Sequence, residues 1–461
     1  MMKLKRQLHS LLHRRASILI VVLWVMIGIA AVTLYYSDDM NLEYRASDNY
    51  VQAAQARQTV DGMRRYLLDF FTTWNKDNKG ILPVVETDYV ADAIQVGKGK
   101  AWLIGRAPEK NKHGKELHFE LVDEASKINI NTASLATLKL IPNMTDSLAA
   151  RIIDWRDKND TSTENGAETL TYQLGTPSYK CKNADLETLE ELRLVIGVDD
   201  NMDLLYKEDT NNNGVLDDNE NDGDTNWPAD NGDGKIDFGV MEYLTVYSRE
   251  PNVAADGTKR INVTSTTLEI KPKLTTLLTD KISSSRAAAI MSKVGNARNV
   301  TSLLDFYVRS GMTAEEFAKV DTYLAISDKD YETGLVNVNT ASADVLTCVT
   351  GLDSSTADTI VSTRDGLTTD KMKTIAWVAS ILTSDQITKA GKYLTAHSYV
   401  YTADIAAVGE YGRGFQRESM VIDTSSNTPQ IIYHRDRTRM GWPLGKEIRE
   451  TLDTEVGETK K

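Results

Sequence analysis

Residues 14–36 read RRASILIVVLWVMIGIAAVTLYY: two arginines, two small residues, then a charge-free apolar run closed by two tyrosines. From Ile18 to Leu34 the run is about 17 residues, the short end of what a helix needs to cross a bilayer. Tyr35 and Tyr36 carry the amphipathic rings that settle at a membrane–water interface. Lys3, Lys5, Arg6, Arg14 and Arg15 gather on the opposite side. Basic residues stay cytoplasmic, so the reading is a single pass through an inner membrane with everything after Tyr36 outside it, in the periplasm.

Three readings differ in where this segment is cut. An ordinary secretory signal ends its apolar core at a small-x-small site. Ala30 and Ala31 make a poor one, and the apolar run continues past them. A plain uncleaved anchor is the second reading. The third is a type IV prepilin-like leader, cut between Ala16 and Ser17 on the cytoplasmic side, with the helix retained. The residues beyond the run favour the third. Ala53, Ala56, Val60, Met63, Leu67 and Phe70 recur at three- and four-residue steps, with Gln52, Gln55, Arg57, Asp61 and Arg64 between them. That spacing predicts an amphipathic helix continuing out of the membrane, over 17–79.

The 461 residues are enough for about three domains. The formal charge is −13, and removal of the five basic leader residues takes it to −18. Such an acidic body is poorly matched to nucleic acid or anionic lipid. Two cysteines, Cys181 and Cys348, are too few for a disulfide framework. Cys348, among Leu346, Val349 and Leu352, reads as a core thiol, and a bridge to Cys181 is left open.

The middle of the chain repeats itself. KININTASLATLKLIPNMTDSLAARIIDWRD (127–157) aligns without a gap on LVNVNTASADVLTCVTGLDSSTADTIVSTRD (335–365). The alignment pairs Asn129 with Asn337, Asn131 with Asn339, Leu138 with Leu346, Ala149 with Ala357 and Arg156 with Arg364. A worn third copy begins RINVTST at Arg260. Each copy has a downstream echo: YLTVYS at Tyr243, YLAIS at Tyr323, YLTAHS at Tyr393. The reading is three helical modules, 126–248, 260–327 and 336–398. Each opens with an extended Ile-Asn-type segment followed by a Thr/Ser helix cap. The unit resembles the helix-hairpin-helix, which holds DNA phosphates on the backbone of a Gly-x-Gly turn. Here Pro142-Asn143-Met144-Thr145 has neither glycine, and Asp353 stands at the second glycine position beside Gly351. Basic residues are scarce, so the units read as packing modules that bind no nucleic acid.

Thirteen carboxylates lie between Asp199 and Asp237, against Lys207 and Lys235. Within them DTNNNGVLDDNE fits the twelve-residue EF-hand loop. Asp209, Asn211 and Asn213 fill positions 1, 3 and 5, Gly214 makes the turn, and Val215 offers its carbonyl. Asp217 stands at position 9 and Glu220 at the bidentate position 12. A second, less regular set comprises Asp222, Asp224, Asp230, Asp233 and Asp237. The cofactor expected over 209–237 is calcium, in a structural loop inserted within the first module.

Strand-like stretches flank the helical block: Leu117, Phe119 and Leu121 before it, and SYVYTADIAAV, FQRESMVIDT and QIIYHRDR after it, separated by turn compositions. The fold class read from the residues is α+β. A long N-terminal helix packs on an antiparallel sheet (80–125 and 397–445), interrupted by an inserted α-helical domain of helix-hairpin-helix-like repeats (126–396). A leader (1–16) and a polar tail (446–461) complete it. The leader, DEASKININTAS, the DTNNNGVLDDNE loop leading to EYLTVYSREPN, and the closing GRGF…VIDT…GW together resemble the protein K family of type II secretion minor pseudopilins. The resemblance implies cleavage and N-methylation by prepilin peptidase at Ala16–Ser17, a pilin αβ fold with an inserted α-domain, and calcium in that insert. It also implies a place at the pseudopilus tip beside other minor pseudopilins, with contact to secreted substrates. Counted from Ser17, position five is Val21, where most pilins carry Glu. A buried charge without a partner is costly in lipid, so an apolar residue suits a subunit with nothing ahead of it. Ala16 departs from the usual Gly.

The leading expectation is thus a structural tip subunit that starts pseudopilus assembly. The alternative is a membrane-anchored DNA-binding receptor or minor type IV pilin built on the repeats. An enzyme is not expected: the six histidines form no metal-ligand spacing, and Ser, Cys and carboxylates show no activated arrangement. His434 reads as a surface residue on a strand.

Overall fold

The helix Met2–Asn78 runs unbroken because it holds no proline and only two glycines, Gly28 and Gly62. In the computed structural model the described residues are 2–81, 84–85, 87–106, 116–198, 203–223, 225–265, 267–294 and 300–459, with side chains described from Ile18 onward except at 38, 203, 411 and 453–459. Every side chain from Ile18 to Tyr36 is exposed, and this is a helix long and apolar enough to cross a membrane, with a mean hydropathy of 2.7 over its most apolar 18 residues. Beyond it Ala56, Val60, Met63, Leu67 and Phe71 are fully buried on one face. The buried stripe therefore ends at Phe71, one residue beyond the expected Phe70. Gly62 faces the sheet edge: a Cβ there would lie 2.3 Å from Val96 Cγ1.

The helix packs on a six-stranded antiparallel sheet: β1 (Ile94–Val96), β2 (Gly99–Leu103), β3 (Val122–Asp123), β4 (Val400–Val408), β5 (Phe415–Asp423) and β6 (Gln430–Asp436). The order is β1-β2-β4-β5-β6, with β3 pairing β4 beside β2. Alternation along β4 sorts the two faces. Tyr401, Ala403, Ile405 and Ala407 join Met420, Ile422, Ala101 and Leu103 under the N-terminal helix. Ala406 and Val408 join Trp102, Ile104, Leu444 and Leu452 on the other side.

Three strands match expectation closely, and three details correct it. Phe119 makes only an isolated bridge to Ile104, and the strand proper is Val122–Asp123; Leu117 packs on the opposite-face cluster and Phe119 touches the clusters of both faces. The hairpin β1–β2 has no counterpart in the sequence pattern, since its apolar residues are interrupted by Gly97-Lys98-Gly99. The expected polar tail begins as the helix Gly445–Thr459, with Leu444, Ile448 and Leu452 at i, i+4 spacing covering the sheet.

Between β3 and β4 the chain is chiefly helical and shares one apolar core. Each repeat opening pairs in parallel with its own echo: Ile128 with Leu244, Ile261 with Leu324, Val336 with Leu394. The hydrogen bonds repeat as well. Ile130, Val263 and Val338 donate their N–H groups to Thr245, Ala325 and Thr395. Arg156 caps the carbonyls of Ile130 and Ala133, and Arg364 does the same at Val338 and Ala341. Asn143 takes the left-handed conformation (φ 64°) that Gly351 takes (φ 99°) at the aligned turn. Asp353 caps the next helix by accepting from the Thr356 N–H, the place of Thr145 in the first copy. A carboxylate at that helix start is adverse to phosphate. Cys181 and Cys348 are both free and buried, and burial pushes the thiols up to about 11 and about 12.

Candidate metal centre

The acidic loop lies against the sheet face opposite the N-terminal helix, where β4 and β5 place Asp404 and Arg417 side by side. Arg417 is completely buried. Its Nε and Nη2 donate to Asp404 at 3.0 and 2.7 Å, and its Nη1 and Nη2 donate to the carbonyls of Asn211 and Asn212 at 2.6 and 2.7 Å. Arg437 adds a contact to Asp404 at 3.1 Å. The guanidinium fork is thus shared between a sheet carboxylate and the loop backbone.

Around this pin the twelve residues curl, with Asn212 (φ 56°) and Gly214 (φ 72°) making the sharp turn. Asp209 accepts from the backbone N–H groups of Asn213 and Gly214 at 2.9 and 3.1 Å. Asn211 and Asn213 donate their amides to Asp217 at 2.6 and 3.3 Å. Asn213 also donates to the Pro443 carbonyl at 2.9 Å, joining the loop to the C-terminal segment. Glu220 accepts from Thr210 N and Oγ1 and from Asp217 N. Val215 donates its N–H to Asn213 Oδ1, and Leu216 packs on the helical core.

Asp209, Asn213 and Glu220 are buried, and Asn211 Oδ1 is buried without a hydrogen-bond partner. Burial, then the charge of Asp209, pushes the Glu220 carboxyl up to about 7, and burial raises that of Asp217. Arg106 offsets part of this charge through Asp209 at 2.7 Å and Glu242 at 2.6 Å. Hard oxygen donors, an orphaned amide oxygen and buried carboxylates only partly offset by Arg106 fit a calcium ion in kind. The three loop carboxylates are not gathered on one point, because each is occupied by hydrogen-bond donors of the loop itself.

The second set is arranged differently. Asp230 accepts from the N–H groups of Asp222, Gly223 and Gly232, and Asp233 from Lys235. Asp222 holds Asn226. The Asp237 N–H donates to Glu208, a buried carboxylate that also takes the Asn231 N–H. Asp224 lies outside the described residues. The sequence reading missed Glu208, Arg106 and Arg417. Only Glu208 had a local signal, as the acid immediately before Asp209. Val21 is exposed on the membrane-length helix. The side chains of Ala16 and Ser17 lie outside the described residues.

Three similarities to known proteins are found. The family described as "Type II secretion system (T2SS), protein K" matches residues 123–203, the stretch that opens with Asp123 and contains the first repeat. The type II secretion system protein K of Pseudomonas aeruginosa is 29% identical over 114 residues, covering 21% of this chain and 34% of that protein. The match thus spans about a third of the curated relative's length. The solved GspK-GspI-GspJ complex from the type 2 secretion system of enterotoxigenic Escherichia coli aligns with a TM-score of 0.41 at 10% identity, over 86% of this chain and 99% of that one. Over residues 123–203 the chain is thus similar to protein K of the type II secretion system.

Proposed function

We propose that this subunit stands at the tip of the type II secretion pseudopilus, where it starts assembly with other minor pseudopilins and so supports export of folded proteins. The observation that carries the reading is the N-terminal helix. It is exposed and apolar across membrane length, runs without a break onto the sheet, and has Val21 where a subunit partner's amine would call for an acid. In this reading prepilin peptidase cuts between Ala16 and Ser17 and methylates the new terminus. The helix then sits singly in the inner membrane, and the body (sheet domain 80–125 and 397–445 around the modules of 126–396) lies in the periplasm. The role is structural rather than enzymatic. Calcium held by Asp209, Asn211, Asn213, the Val215 carbonyl, Asp217 and Glu220 orders the loop, with Asp222, Asp230, Asp233 and Asp237 about a second ion. Secreted substrates meet the exposed tip.

Co-purification tests the partners. The full-length chain, extracted in detergent from cells making the other minor pseudopilins, is expected to bring them down in a fixed ratio. Recovery of the chain alone under several detergents would remove the tip reading.

A further inference from the structure

Away from the acidic loop, the helix Asp146–Arg156 ends at a second concentration of charge. Asp154 in its last turn, Asp157 at its C-cap and Glu168 bring one carboxylate oxygen each within 4.8 Å of one another, the one such group among the described residues. Both oxygens of Glu168 are buried without a hydrogen-bond partner, and the residue is only 5% exposed. Asp154 is fully buried, accepting from the Thr163 N–H at 3.1 Å and the Ser162 hydroxyl at 3.3 Å. Asp157 accepts from Asn159 N and Nδ2 at 3.0 and 2.8 Å. Asp160 adds a fourth carboxylate close to Glu168, held by the Thr169 N–H at 3.2 Å.

This charge is only partly offset, by Arg156 acting on Asp157 without an ion pair. Among the described residues no Lys or Arg makes an ion pair with these acids, and Arg156 is committed to the carbonyls of Ile130 and Ala133. A buried carboxylate facing like charges without a donor is costly, and the compensating groups in such places are cations. The backbone closes tightly over the site: a Cβ on Gly166 would lie 1.9 Å from Asp154 Oδ2.

We propose that Asp154, Asp157 and Glu168 form a divalent-cation site of the calcium class, separate from the loop at 209–237. All its donors are carboxylate oxygens, which suits a hard cation. The ion would tie the end of one helix to the segment leading into the next, and so fix the loop 157–168. Its affinity belongs with extracellular calcium modules, with dissociation constants on the order of 10⁻⁴ to 10⁻³ M.

The test is calcium counting on the full-length chain in detergent, stripped of metal and dialysed against radioactive calcium at physiological salt. Glu168→Gln and, as a half-exposed second position, Asp157→Asn are each expected to bind one calcium ion fewer per chain than the unaltered protein. Glu220→Gln in the other loop is expected to leave that Glu168-dependent ion in place. Calcium should also raise the melting temperature less in Glu168→Gln than in the unaltered chain. An undiminished calcium count in both Glu168→Gln and Asp157→Asn overturns the site, and the Glu220→Gln arm reports on the acidic loop independently. A carboxyl group merely sharing a proton with Asp160 would give that undiminished count.

Discussion

Arg417 carries four hydrogen bonds with no exposure to water, and neither half of its surroundings is optional. Removing one member of a buried pair leaves the other charge unpaired, so Arg417→Met is expected to cost about 3–5 kcal/mol in denaturant unfolding. Arg417→Lys should recover only part of that, because an ammonium does not reproduce the fork. His397 makes a second buried network. Its Nδ1 meets Glu250 at 2.8 Å and its Nε2 meets Asp321 at 3.1 Å, with Arg260 on Glu250 and the Tyr399 hydroxyl on Arg260. Burial alone would lower its pKa, but the charges of Glu250 and Asp321 raise it to about 10. Because the folded value lies above the unfolded one near 6.5, this stabilisation is complete below about pH 6.5. It is lost as pH rises through 10. Unfolding free energy should therefore fall over that alkaline window in the unaltered chain, and His397→Gln should flatten the slope. An equal slope in both would show that the network does not titrate. Neither residue's role was legible in the sequence. Alternation put Arg417 on the face opposite Met420, but nothing local said that a distant loop would cover that face.

At the scale of elements, the helix caps after the Ile-Asn-type segments were legible because their signals are local. Ser134 and Ser342 cap their helices through the N–H groups of Thr137 and Val345, as the opening segment predicts. Ser342→Ala should cost about 1 kcal/mol. The aligned asparagines have diverged in what they hold. Asn129 donates to Ser248, whereas Asn337 donates to Ser398 at 2.6 Å and to Asp123 at 3.1 Å. Asn337→Ala strips a donor from a buried carboxylate, and about 1–3 kcal/mol is expected to be lost. Asn129→Ala, which leaves no charge behind, should lose less; the paired measurement decides. Residues 94–103 were not legible as strands. The β1–β2 pair takes its stability from β4 and from the N-terminal helix, whose Gly62 passes over Val96, contacts far away in sequence. The C-terminal helix was hidden in the same way, since its few apolar residues gain meaning only against Trp102 and Val408.

For the whole molecule, two predictions concern the ends of the proposed assembly. Mass spectrometry of the membrane-extracted chain should find a methylated N-terminus at Ser17, and an intact Met1 would sink the leader reading. Val21→Glu places a carboxylate in the membrane-length segment, so filament initiation is expected to fall; unaltered initiation would count against the tip argument. Chelation of calcium should lower the melting temperature of the full chain, since the loop hands two carbonyls to Arg417 on the sheet. The way into and out of the helical block bears on the history of the fold. Asp123, at the end of β3, accepts from Ser398 and from Thr340 at 2.6 Å, while Tyr401 pairs directly with Asp123 in the sheet. The chain therefore leaves and re-enters the sheet at one spot, like a detour that returns to its own turning. Closing a longer excursion costs only slowly more entropy as it lengthens. Lengthening the excursion through that doorway therefore adds little to the entropy of closing it, so the pairing of the strands on either side sets only a weak limit on how long the excursion is.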